Sequence, residues 1–105
     1  MNAGVASGWI GVLSVELHFP EAHSLKEKRM SVRSAKEQLR NRFGAAVAEV
    51  DHHDVWQRTR LTAAVVTRDA GDAERLLADA ERYLASREWE LGLVTRELVT
   101  LDDDY

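Results

Sequence analysis

The hydrophobic pattern of the chain predicts an α+β fold in the order β-α-β-β-α-β, an antiparallel sheet with two helices packed on one of its faces. Three observations carry that prediction. Residues 9–19, WIGVLSVELHF, alternate apolar and polar side chains for most of their length, the two-residue period of a strand with one wet face. Residues 25–43 and 73–84 instead repeat apolar side chains at helical spacing. Between and after them lie short runs, AAVAEVD at 45–51, RLTAAVVT at 60–67 and LGLVTRELVTL at 91–101, with the length and the β-branched content of strands.

Each element has its own start and stop. In the first strand Leu13, Val15, Leu17 and Phe19 share one face and Ser14, Glu16 and His18 the other, and Pro20 ends it. Ser24 with Glu27 three residues later forms a capping box that opens the first helix, in which Leu25, Val32, Ala35, Leu39 and Phe43 fall within about 80° of arc. Gly44 is placed to end that helix. The second strand follows, then a turn within residues 52–59, then the third strand. Asp69 or Asp72 can cap the second helix, whose apolar set is Ala73, Leu76, Leu77, Ala80, Tyr83 and Leu84. The order is the split βαβ arrangement of the ferredoxin-like α/β sandwich. The expected division is a flexible leader at 1–8, one domain at 9–101 and an acidic tail at 102–105.

Composition narrows the function classes. A chain of 105 residues with 45% hydrophobic and 30% charged residues suits one globular core. Having no cysteine, it excludes disulfides, thiolate metal sites and a cysteine nucleophile, which fits a reducing cytoplasm. No apolar run approaches a membrane span. There is no phosphate-binding glycine loop, no GxSxG elbow and no HExxH, so no enzyme class has its signature and no cofactor is implied.

The net charge of −4 conceals an asymmetry. Residues 24–42 hold seven Lys or Arg against Glu27 and Glu37, a net +5, leaving −9 for the rest. On the first helix Lys26, Arg29, Arg33, Lys36 and Arg40 occupy a sector of about 80° next to the apolar one, a continuous basic stripe. Lys26, Lys28 and Arg29 crowd the first turn, where the helix dipole disfavours cations and a phosphate is favoured. The stripe is either a solvated face or a track for a nucleic-acid backbone, with Trp56 and Trp89 as candidate platforms for bases. The resulting expectation is an RNA-binding surface of Lys26, Lys28, Arg29, Arg33, Lys36 and Arg40, completed at one end by Trp56 and Arg58.

The topology brings residues 20–24, 52–59 and 86–90 to one end, and with them His18, His23, His52 and His53. An alternative site is therefore a metal or small-ligand centre built from His18, His23, Asp51, His52 and Asp54. Its spacing is poor: in extended chain Asp51 pairs with His53, or His52 with Asp54, and a third ligand must come from His18 or His23. Finally, Ile10, Val12 and some of Val47, Val66 or Val94 can remain uncovered on the sheet face away from the helices. That face is the expected contact of a homodimer.

The segments GVLSVELHFPEAHSLKEKR, LRNRFGAAVAEVDHHDVWQR and LTAAVVTRDAGDAERLL resemble the YlxP-like proteins, domain of unknown function 503, from about Trp9 to Leu101. SLKEKR and AEVDHHDVWQR are the most specific parts. The resemblance implies a ferredoxin-like fold and a genomic association with genes for translation and ribosome maturation, and it implies no activity. Members of that family often have Gln where His53 stands, which makes His53 a poor candidate for an indispensable ligand. The eight-residue leader is longer than usual in that family, and nothing functional rests on it.

Overall fold

In the computed structural model, which describes residues 6–102, the expected order is realised as β1 (Trp9–His18), α1 (Leu25–Phe43), β2 (Ala46–Asp51), β3 (Arg58–Thr67), α2 (Ala70–Ala85) and β4 (Glu90–Thr100). The strands form one antiparallel sheet in the order β2-β3-β1-β4. β1 pairs with β3 without a break, from Trp9 opposite Thr67 to His18 opposite Arg58. That pairing makes β3 two residues longer at its start than its β-branched run suggests. The proposed leader and tail fall partly outside the described residues; within them Ser7 N–H donates to Asp102 Oδ1 at 2.6 Å.

Alternation along β1 and β3 builds the core. Leu13, Val15, Leu17, Leu61, Ala63 and Val65 point to the helix side and are almost fully buried. Helix α1 lays Val32, Ala35 and Leu39 over β2 and β3, and α2 lays Ala73, Leu77, Ala80 and Leu84 over β1, β3 and β4. Of the valines left open by the sequence, Val47 and Val94 pack against this core, while Val66 faces outward on the open side.

The helix ends follow their capping residues. Ser24 Oγ accepts from Glu27 N–H at 3.1 Å, and Asp69 Oδ1 accepts from Asp72 N–H at 2.8 Å. At the far end of α1, Gly44 adopts φ 65°, a left-handed conformation that costs a residue with a Cβ, and its N–H donates to Arg40 O. Gly11 is required for a different reason: a Cβ there would stand 3.1 Å from Leu77 Cδ1 and 3.3 Å from Ala73 Cβ, where α2 crosses β1. Among the described residues no helix is long and apolar enough to cross a membrane.

These two glycines give a paired test by thermal unfolding. Gly44→Ala meets no neighbour within 4 Å and is expected to cost only the backbone penalty, about 1 kcal/mol. Gly11→Val must push α2 off the sheet and is expected to cost more, about 1–3 kcal/mol.

Candidate anion-binding groove and the buried lysine beside it

Helix α1 presents two kinds of cation, separated by their position around the axis. Lys28, Val32, Ala35 and Leu39 stand at i, i+4, i+7 and i+11, so Lys28 belongs to the buried stripe. Its side chain is 1% exposed. An ammonium there is tolerated only if each of its three N–H groups finds an acceptor. Nζ donates to Glu49 Oε2 at 2.7 Å, to His52 O at 2.7 Å and to His53 O at 3.2 Å. Thr59, fully buried on β3, donates its hydroxyl to the same Glu49 oxygen.

This corrects the sequence reading of Lys28. It is withdrawn from any external phosphate and instead fastens the first turns of α1 to β2 and to the β2–β3 turn. The turn bends to meet it: His52, at φ 63°, is left-handed without being glycine. Its N–H donates to Asp51 Oδ1 at 2.7 Å, and its carbonyl accepts from Val55 N–H as well as from Lys28. Burial pushes the Glu49 carboxyl up, but hydrogen bonds from Lys28 and Thr59 and the Lys28 charge outweigh it and hold Glu49 below the ordinary carboxylate value.

The second kind of cation faces out. Arg29, Arg33, Lys36 and Arg40 line an open groove of about 430 Å³ between α1 and the edge strand β2, floored by Val32 and edged by Glu37 and Glu49. Among the described residues, neither these four nor Lys26 has a carboxylate within ion-pair distance; Arg40 Nη2 reaches only the Val47 carbonyl, at 3.5 Å. Four arginines elsewhere are neutralised locally, Arg75 by Asp72, Arg82 by Asp79, Arg87 by Glu88 and Arg96 by Glu81, while Arg42, Arg58, Arg60 and Arg68 have no such partner among the described residues. The α1 N-terminus is already served by the chain's own oxygens, since Ser24 Oγ accepts from Glu27 N–H and Glu27 Oε2 from His23 N–H. The groove, rather than the helix end, is therefore where unpaired positive charge faces outward.

Two further assignments change. Arg58 lies on the open sheet face, because Thr59 beside it points into the core. It does not continue the α1 stripe, and its Nε is buried without a partner. Trp89 is 5% exposed and packs edge-on against Phe19 at 6.3 Å, so it offers no platform, whereas Trp56 in the turn is 53% exposed.

The histidines do gather in part, around a residue that the sequence reading passed over. Glu16 Oε1 lies 3.1 Å from His18 Nε2, and Glu16 Oε2 lies 3.3 Å from His52 Nε2. Partial burial pushes Glu16 up, but the His18 hydrogen bond, the Arg58 charge and the His52 hydrogen bond prevail and lower it. The signal was available, for Glu16 and His18 share a face of β1. The expected metal set of His18, His23, Asp51, His52 and Asp54 is not assembled: His23 and Asp54 are exposed on loops, Asp51 is exposed at the end of β2, and among the described residues no group of three His, Cys, Asp or Glu is arranged to hold a metal ion.

The same end explains why two separate segments carry the family resemblance. Lys28 of SLKEKR bonds Glu49 and the His52 and His53 carbonyls of AEVDHHDVWQR. Gln57 of the latter donates through Nε2 to Pro20 O and Ala22 O, and its carbonyl accepts from Phe19 N–H at 2.8 Å. Residues 10–97 match the family described as Protein of unknown function (DUF503). The chain belongs to the DUF503 family. It is 31% identical over 90 residues to the Uncharacterized protein YlxP of Bacillus subtilis (strain 168), an alignment covering 76% of this chain and 98% of that protein. In this DUF503 chain, the two segments are halves of one polar clasp.

Lys28→Met would leave the part-buried Glu49 carboxylate without its counter-charge and the His53 carbonyl without its lysine donor; chemical denaturation is expected to show a loss of about 2–4 kcal/mol, with Glu49→Gln recovering part of it in the double variant. The pH dependence follows from the direction of the Glu49 shift. A carboxyl lowered in the folded state stabilises at pH values above its unfolded value near 4.5, and that contribution fades as pH falls through the folded value. The stability gap between the wild type and Glu49→Gln is therefore expected at pH 6 and to narrow below pH 4.5.

Proposed function

We propose that this protein is a non-enzymatic, cytoplasmic binding module for RNA or a ribosomal particle, and that its contact surface is the α1 groove: Arg29, Arg33, Lys36 and Arg40, with Lys26 at the N-terminal end. The observation that carries the reading is the contrast in pairing. A chain of net charge −4 pairs three arginines on α2 and β4 with its own acids, yet among the described residues leaves a row of cations on α1 unmatched. An external polyanion completes that row, and it gains from the release of its counterions.

The shape of the groove supports a backbone contact rather than a base pocket. From Arg29 to Arg40 the row runs about 16 Å along the helix, and the groove is open along its length. Trp56 is suited to stack one base beside the N-terminal end, because the turn that bears it is held against α1 by Lys28. The strand residues on the open sheet face, from Ile10 to His18 and from Arg58 to Val66, include no Phe, Tyr or Trp on that side, and the His18 ring at their end is hydrogen-bonded to Glu16.

Titration of a fluorescent single-stranded RNA by anisotropy tests the reading. With four phosphates neutralised, the logarithm of affinity is expected to fall with the logarithm of salt at a slope of about −3. The Arg29→Glu, Arg33→Glu double variant is expected to lose most of that slope and the binding with it, while Arg75→Glu leaves both unchanged. Binding that ignores salt, or that survives the double variant, would sink the proposal.

A further inference from the structure

The sheet face opposite the helices is graded along its strands, and the grading is organised in cross-strand pairs. Across the β1–β3 seam, Ile10 faces Val66, Val12 faces Ala64, Ser14 faces Thr62 and Glu16 faces Arg60. Each pair joins like with like where the side chains are apolar or hydroxylic, and acid with base where they are charged. The apolar end is well exposed: Val66 is 77% exposed, and Val99, which pairs with Ile10 on the other side, is 40% exposed. Isolated apolar residues on a surface need no explanation, but a registered row across three strands does.

We propose that this face binds a second copy of the chain, forming a homodimer whose two-fold axis runs along the strands midway between β1 and β3. Such an axis lays β1 of one protomer over β3 of its partner and superposes the cross-strand pairs: Ile10 over Val66, Val12 over Ala64 and Glu16 over Arg60, each twice. The face is thus complementary to itself under one particular operation, as an isologous interface requires. Arg60 makes no ion pair within its own chain among the described residues, so its charge is free for the partner's carboxylate.

The area is sufficient. Three strands of ten or eleven residues and one of six, rising about 3.3 Å per residue and spaced by about 4.8 Å, offer roughly 590 Å² per copy in flat projection, which places the two-sided burial near the lower limit of stable interfaces, about 1,200 Å². The arrangement stacks two sheets, so the helices and both α1 grooves remain on the outside. It is therefore independent of the RNA reading.

Sedimentation velocity across micromolar concentrations reads the state directly. The wild type is expected at twice the chain mass. Val66→Glu, at a position already exposed, is expected to give a monomer with an unchanged circular dichroism spectrum, and Arg60→Glu to weaken the dimer by about tenfold or more. The charge-swapped Glu16→Arg, Arg60→Glu variant is expected to regain affinity, because the proposed axis brings those two positions together. A wild type that stays monomeric at 100 µM overturns the proposal, as does a dimer indifferent to Val66→Glu. Failure of the swap to restore a dimer that Arg60→Glu weakened overturns the axis. The Arg29→Glu, Arg33→Glu variant serves as the control that must remain dimeric.

Discussion

The constraint on which the rest of the structure depends is the burial of one ammonium. Lys28 occupies a core position on α1, and the cost of removing its charge from water is offset only because Glu49 and two turn carbonyls receive its three N–H groups. Those acceptors come from β2 and from the β2–β3 turn, while Glu49 is itself held by Thr59 on β3. Helix, edge strand and hairpin cannot shift independently without breaking this set. Gln57 closes the other side by bonding the loop between β1 and α1.

That clasp has an electrostatic consequence. It fixes the rotation of α1, with Val32, Ala35 and Leu39 inward, and thereby turns Arg29, Arg33, Lys36 and Arg40 toward the rim of β2. One lysine is spent internally so that the neighbouring cations are held in a line at an edge. Several acids are engaged elsewhere: Asp72 and Asp79 hold arginines on α2, Glu27 serves the helix start, and Glu16 is shared by His18 and His52, while Glu37 stands at the groove edge without an ion pair among the described residues.

Most of the architecture is legible in the residues. The two-residue period of β1, the helical period of α2, the Ser24 and Asp69 caps and the Gly44 stop each act over a few residues, and local physics suffices to place them. The candidate site was read less completely. Lys28 enters the expected RNA-binding surface through its place in the first turn of α1, although its spacing from Val32, Ala35 and Leu39 already puts it among the buried positions. Trp89 is a candidate platform because the topology brings residues 86–90 to the same end as Trp56, yet it covers the end of the core against Phe19. Arg58 is expected with Trp56 at one end of that surface, and only the pleat of β3 shows that it leaves on the opposite face.

The sequence by itself determined the element order, the identity of the core faces and the presence of a surplus of positive charge on α1, because periodicity and composition are properties of short segments. Only the tertiary structure decided which of those charges reach solvent, since that depends on acceptors supplied by residues more than twenty positions away. It also decided how the histidines divide around Glu16 and how the cross-strand pairs line up on the open face. Pairing register and the sharing of a buried carboxylate are contacts between distant segments, and no local pattern encodes them.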